Sequence, residues 1–168
     1  VFCASWYTAE QGMMAWHYRS GILGVALIVF RIFWGFVGGS TARFSNFVRS
    51  PATVIRFVSG AAQKPRKAGH IPLGGYSVVL LLTVLLVQVA TGLFAVDVDG
   101  LESGPLSFFV SFDQGRLAAE IHEISFTALQ VLVAVHILAI VFYRLRGNHL
   151  TKAMITGKAD KSDGFEDA

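Results

Sequence analysis

The stretch IHEISFTALQVLVAVHILAI, residues 121–140, decides the fold class, because it is almost wholly apolar and yet carries two histidines, His122 and His136. Fourteen residues advance a helix by about four turns and roughly 21 Å, so the two imidazoles lie on nearly the same face. A spanning helix needs about 20 apolar residues. The stretch therefore predicts a transmembrane helix with histidines at two depths.

Long apolar segments recur along the 168 residues, of which 54% are hydrophobic. They predict an all-α integral membrane protein, a four-helix bundle forming one domain over 1–168. We expect three full spans and one partial span, with a cytoplasmic C-terminal tail at 145–168; the spans are 1–9 (partial), 17–38, 74–96 and 120–144. Residues 1–9 are too few for a crossing. Because no initiator Met or signal-peptide pattern precedes them, we expect the first helix to be truncated at its N-terminus.

The charges of the connectors predict the orientation in the membrane. The connector 38–70 holds six Lys or Arg residues and no acid, whereas 97–120 holds five acids and one Arg. By the positive-inside rule, the basic connector and the C-terminal tail face the cytoplasm and the acidic connector faces out. A basic face beside anionic lipid accounts for the net charge of +3, so no nucleic-acid partner is expected. The single cysteine, Cys3, excludes an intrachain disulfide.

On this frame three histidines occupy two depths. His17 opens the second helix and His122 opens the fourth, both at the outer side, while His136 lies deeper, toward the cytoplasm. Polar groups inside spans are costly and indicate function. Haem iron accepts axial histidines from facing helices, so His17 and His122 could ligate one haem and His136 could belong to a second. The alternative is that His17 and His122 are ordinary interfacial polar residues.

No partner histidine for His136 is visible at its depth. Arg31, on the second helix, cannot ligate iron but could pair with a haem propionate, and the third helix offers only polar groups that are not usual haem ligands: Thr83, Gln88 and Thr91. We therefore expect the remaining ligand upstream of Val1, in the missing part of the first helix. Zinc is poorly supported, since no cysteine cluster or carboxylate lies at this depth.

His70 precedes the third helix in the segment AGHIPLGG, 68–75. Pro72 fits the first position of a helix, so His70 could simply begin it. The alternative is a hydrogen bond to a quinone carbonyl at the cytoplasmic interface. Both interpretations stay open at this point.

Several strings, taken in order, resemble the bacterial cytochrome b561 family, in the branch that includes the cytochrome b subunits of nickel-iron hydrogenases. The likeness runs from about Trp16 to Lys158, and the strings are FRIFWGFVGGSTARFSNFVRSP (30–51), GHIPLGG (69–75), TGLF (91–94), IHEISFTALQVLVAVH (121–136) and AMITGK (153–158).

The resemblance implies a four-helix bundle in the bacterial inner membrane with two b-type haems, each held by two histidines. The family's second-helix ligand falls on His17 and its fourth-helix pair on His122 and His136. Its remaining ligand belongs to an Arg-x-Phe-His-Trp-like motif on the first helix, which this chain lacks. Two smaller departures touch no ligand: Ile71 stands where Asn is common, and Tyr18 where Glu is common.

We therefore expect a di-haem cytochrome that passes electrons across the membrane between an outer-face redox protein, such as a c-type cytochrome or hydrogenase, and quinone or another acceptor. As such it would be an electron-transfer subunit of an oxidoreductase complex. The acidic connector could dock a basic partner or be a plain solvated loop. One alternative is a self-sufficient superoxide:quinone oxidoreductase; another is a haem-free transport or assembly subunit.

Overall fold

A computed structural model describes residues 1–39, 42–48, 50–59, 72–99 and 102–145. Over these residues the chain is helical, with a short 3-10 helix at Ser107–Phe109 and no strand beyond one isolated bridge. The α-helices are α1 (Phe2–Glu10), α2 (Met14–Val37), α3 (Phe44–Phe47), α4 (Pro51–Val58), α5 (Pro72–Phe94) and α6 (Phe112–Leu145).

Three of these helices are long and apolar enough to cross a membrane, over Met14–Val37, Gly74–Phe94 and Phe112–Phe142. Their large apolar side chains are mostly exposed; on α6, for example, Ile124 is 63% and Leu138 is 66% exposed. A helix that is apolar all round requires an apolar surrounding, which lipid supplies. The predicted all-α membrane fold is confirmed.

The chain divides into two compact units, Val1–Ile32 with Leu81–Leu132, and Phe33–Leu80 with Val133–Ala168. In the first unit, α1 packs on the early part of α6, where the Phe2 and Trp6 rings lie 6.0 and 5.8 Å from the Phe126 ring. The first unit thus combines α1 with parts of α2, α5 and α6.

A three-residue turn joins α1 to α2 and fixes how they pack. Gly12 has a φ of +66°, the left-handed conformation that glycine adopts without strain. Its N–H donates to the Ala9 carbonyl at 3.0 Å, and the Met13 N–H donates to the Thr8 carbonyl at 2.8 Å. This pair of bonds is the Schellman ending of a helix. The turn folds α2 back beside α1.

The last long helix, α6, begins at Phe112, eight residues before the expected start of the last span at Glu120. Ser111 accepts a hydrogen bond from the Gln114 N–H on its hydroxyl, and the Gln114 side chain accepts one from the Ser111 N–H. This reciprocal capping box satisfies two N–H groups at the helix start. The charged residues that follow lie inside the helix, although our sequence analysis counted them in the connector.

The acidic connector folds tightly onto the end of α5. Val96 forms an antiparallel bridge with Ser103, and the Leu106 N–H donates to the Leu93 carbonyl at 2.8 Å. The Arg116 guanidinium, on α6, donates to the Val96 carbonyl at 3.1 Å. Val96 itself is only 8% exposed. The connector is therefore anchored to both helices that it joins.

In the second unit, short helices follow α2 in the basic connector, where the sequence analysis predicted no helix. Gly35 on α2 packs directly under the Phe44 ring of α3, so a methyl group at Gly35 would overlap that ring. The Arg43 Nε donates to the Gly38 carbonyl at 2.6 Å, just past the end of α2. Gly35 therefore serves helix packing rather than space for a cofactor.

Candidate functional site

His17 lies on the first turn of α2 and is half-buried against α1. Its Nδ1 is 2.9 Å from the Ser5 carbonyl oxygen and 3.3 Å from the Ser5 hydroxyl. A carbonyl oxygen can only accept, so the Nδ1 of His17 carries the proton and donates. The lone pair of the ring is then on Nε2.

His122 is held in the same way by another helix. It is half-buried on α6, and its Nδ1 is 2.8 Å from the Gln88 carbonyl oxygen of α5. Histidines that bind metals almost always donate their second N–H to a carboxylate, a backbone carbonyl or water, which fixes the tautomer and the ring orientation. Both His17 and His122 therefore have the outer-shell partner expected of a metal ligand.

The two rings lie next to each other in the first unit, with the edge of one toward the other. Their centroids are 6.2 Å apart and their planes are inclined by 86°. With metal–nitrogen bonds of about 2 Å and each nitrogen about 1 Å from its ring centre, two imidazoles on one metal have centroids roughly 6 Å apart. The centroid separation by itself therefore permits the two histidines to share one metal ion, whereas the His122 Nε2 contacts the Gln88 side-chain amide at 3.0 Å in this structure.

One glycine allows the His122 ring to lie directly against α5. A methyl group on Gly92 of α5 would lie 2.7 Å from the His122 Cε1 and 2.9 Å from its Nδ1, closer than real Cβ atoms approach. Only glycine at position 92 lets the imidazole rest against α5. On α2, a methyl on Gly21 would meet nothing within 4 Å, and one on Gly24 would make ordinary contacts with Val1 and Val89.

The residues that hold His122 were not predicted from the sequence. Gln88 was predicted only to be a polar group that does not ligate haem, and no role was predicted for Ser125 or Gly92. In the structure the Gln88 side chain bonds both His122 and the Ser125 hydroxyl, and Ser125 is 6% exposed. The available signal was the position of Gln88 in an apolar span, because a polar side chain there requires a partner.

The other predicted site residues lie elsewhere. His136 is half-buried on α6 in the second unit, and Arg31 is half-buried on α2 in the first. His70 lies outside the described residues. Within the described part of the chain no three His, Cys, Asp or Glu side chains form a group able to hold a metal ion. Haem needs only two axial ligands from the protein, since the porphyrin supplies the rest.

Comparison with known protein families identifies the family of this chain. The family described as prokaryotic cytochrome b561 matches residues 2–157. The chain belongs to the prokaryotic cytochrome b561 family. It is therefore a membrane cytochrome of the type that binds haem b and transfers electrons, which confirms the resemblance on which the sequence analysis relied. No curated protein and no solved structure matches the chain.

The site of this b561-family chain fits haem by its donor set. His17 and His122 are imidazoles with Nδ1 bonded to a backbone carbonyl, and they come from two apolar helices at a suitable separation. Gly92 provides the close approach that one ring needs. His17 and His122 are therefore the residues that would hold haem, which would supply one-electron chemistry at this position.

Proposed function

We propose that this chain is a di-haem b-type cytochrome of the bacterial inner membrane that passes electrons across the bilayer. The observation that carries the proposal is the His17–His122 pair, whose rings lie 6.2 Å apart with both Nδ1 atoms bonded to backbone carbonyls. In this proposal the pair holds one haem through the two Nε2 atoms. Bound haem supplies one-electron chemistry at that position.

Residues around His17 and His122 orient the two proposed ligands. The Ser5 and Gln88 carbonyls fix the tautomer of each ligand, and their N–H bonds raise the basicity of the opposite nitrogen. The apolar side chains of the helices exclude water, which lowers the local dielectric and so contributes to the reduction potential. Gly92 sets how deeply the His122 ring seats against α5.

The second haem is assigned to His136, fourteen residues further along α6, with Arg31 as a candidate partner of a propionate. The support is the half-buried position of both side chains in long apolar helices, where a polar group indicates function. In the described part of the chain the histidines are His17, His122 and His136, so the second ligand of this haem is not among them.

The redox partners follow from charge and orientation. We assign the acidic connector to the outer face by the positive-inside rule, with the C-terminus in the cytoplasm. Its acids Asp97, Asp99 and Glu102 are exposed. The connector bonds to the last turn of α5, beside Gly92 and the His122 ring. This favours a basic redox protein, such as a c-type cytochrome or a hydrogenase subunit, docking at that end. Quinone near His70 is the proposed acceptor or donor at the inner face.

The test is a reduced-minus-oxidised spectrum of the full chain purified in detergent, together with haem quantification. We expect a b-type signal that falls in His17→Ala and in His122→Ala to the same extent. Thr127→Ala is the matched control, because that exposed hydroxyl only donates to the Glu123 carbonyl one turn back on α6. A chain without any b-type signal contradicts the proposal and favours the haem-free alternative.

Further measurements distinguish an electron-relay subunit from a self-sufficient superoxide:quinone oxidoreductase. Turnover of superoxide with quinone by the isolated chain would identify the self-sufficient oxidoreductase, whereas co-purification of a redox partner would support the relay. His70→Ala tests the quinone site: we expect slower quinone reduction with an unchanged haem content. An unchanged rate removes His70 from the proposal.

A further inference from the structure

One glutamine contacts both ring nitrogens of His122. The backbone carbonyl of Gln88 is 2.8 Å from the His122 Nδ1, and its side-chain Nε2 is 3.0 Å from the His122 Nε2. The Ser125 hydroxyl donates to the Oε1 of the same side chain. Ser125 is 6% exposed, whereas Gln88 and His122 are half-buried.

The protons of this network can be placed by elimination. The Gln88 carbonyl accepts, so the His122 Nδ1 carries the proton and the neutral ring has its one lone pair on Nε2. That lone pair accepts from the amide N–H of the Gln88 side chain. The amide oxygen then points to Ser125, whose hydroxyl donates to it. A neutral His122 protonated on Nδ1 therefore gives a hydrogen-bond partner to the Gln88 carbonyl, to the Gln88 side-chain amide, to both ring nitrogens and to the Ser125 hydroxyl.

We infer that Gln88 is a positioning residue for His122 with two opposing effects, which rests on the proposed ligation of haem by His122. Its backbone carbonyl directs Nε2 to be the ligating nitrogen. Its side-chain amide competes for that same nitrogen, because one lone pair cannot both accept a hydrogen bond and bind iron. Ser125 strengthens the competition by holding the amide oxygen. Gln88 thereby sets how readily this site takes up and releases haem.

Substitutions of the Gln88 side chain distinguish the effect of its amide from that of its backbone carbonyl. Gln88→Leu removes the amide, keeps a similar volume and leaves the backbone carbonyl on Nδ1. Ser125 keeps a second acceptor, the His122 carbonyl at 3.1 Å, so its hydroxyl is not left unpaired. A net hydrogen bond corresponds to about a fivefold change in an equilibrium constant. We therefore expect Gln88→Leu to bind haemin about fivefold more tightly.

Gln88→Glu should act in the opposite direction. The carboxylate has nearly the same shape and can still accept from Ser125, but it has no proton to donate to the His122 Nε2. The lone pairs of the carboxylate then face the lone pair of that nitrogen, and their repulsion turns the ring away from its present orientation, so we expect weaker haemin binding. A merely structural role of Gln88 would lower the affinity in both variants.

The experiment is a haemin titration of the haem-free full chain in detergent, followed at the Soret band, for wild type, Gln88→Leu, Gln88→Glu and Ser125→Ala. Thr127→Ala is the hydroxyl control on α6. The ¹⁵N NMR signal of the His122 Nε2, assigned by its loss in His122→Ala, should shift in Gln88→Leu and stay in Thr127→Ala. Tighter binding in the Leu variant and weaker binding in the Glu variant support the inference. Equal affinities, or a loss in both, overturn it. If His122→Ala binds haemin like wild type, the proposed ligation itself is wrong.

Discussion

Gly92→Ala is the substitution with the most direct predicted effect on the histidine pair. The added methyl group would lie 2.7 Å from the His122 Cε1, whereas carbon atoms rest at about 3.5–4.0 Å. The ring must therefore move by about 1 Å away from α5. Gln88 lies one turn earlier on the same helix, so this movement also lengthens the bond from the His122 Nδ1 to its carbonyl. That bond, now 2.8 Å, would no longer meet the criterion for a hydrogen bond.

The size of the effect follows from these two losses. Overpacking a well-packed site costs typically 1–3 kcal/mol, and a hydrogen bond of this kind contributes about 1 kcal/mol. Ala recovers part of this, since it is favoured over Gly inside a helix by about 1 kcal/mol. The remainder, about 1–3 kcal/mol, lowers the unfolding free energy of the chain. Loss of the outer-shell partner of the ligand separately lowers the affinity for haemin by roughly 10- to 100-fold.

The assay is a haemin titration of the purified haem-free chain, with haem content after expression as an independent reading. Gly21→Ala is the matched control, because it adds the same methyl group in a helix of the same unit where nothing lies within 4 Å. We expect Gly92→Ala to lose affinity and haem content while Gly21→Ala keeps both. Thermal unfolding of the haem-free chain should show a loss of about 1–3 kcal/mol in Gly92→Ala and no loss in Gly21→Ala.

Wild-type affinity in Gly92→Ala would refute the reasoning, since it would mean that His122 does not need its present seat against α5 to ligate. An equal loss of haemin affinity in Gly21→Ala would also refute it. The loss would then come from adding a methyl group to any helical glycine and not from the contact with His122.

Three other predictions concern the second haem and the turns that position the helices. His136→Ala should lower the haem-to-protein ratio to about half by pyridine haemochrome analysis; an unchanged ratio would remove His136 as a ligand. Gly12→Ala forces a non-glycine residue to a φ of +66° and should lower the unfolding free energy by about 1–2 kcal/mol, whereas Gly12→Asn should cost less. Ser111→Ala removes the cap of α6 and should cost about 1 kcal/mol by thermal unfolding followed by circular dichroism, and the cost should persist if Gln114 is already Ala, because the Ser111 hydroxyl accepts from the backbone N–H of residue 114.

The sequence by itself determined the membrane class, because segments of about 20 apolar residues have no other stable surrounding. The ordered motifs carried the family resemblance, which the match over residues 2–157 confirms. The two depths of the histidines also followed from local information alone, since helical rise converts sequence separation into distance along an axis. Pairing His17 with His122 was a prediction from equal depth, and their 6.2 Å separation supports it without testing ligation.

Only the tertiary structure decided what surrounds the pair. Gln88 and His122 are 34 positions apart, and the contact between them depends on how α5 and α6 pack, which no local pattern encodes. The same holds for Gly92, whose lack of a side chain matters only because an imidazole from another helix lies against it. The start of α6 was local information that went unused: the Ser111–Gln114 capping box was readable, but acidic residues were taken as a connector. Charge reports where a helix leaves the lipid, whereas backbone hydrogen bonding decides where the helix ends.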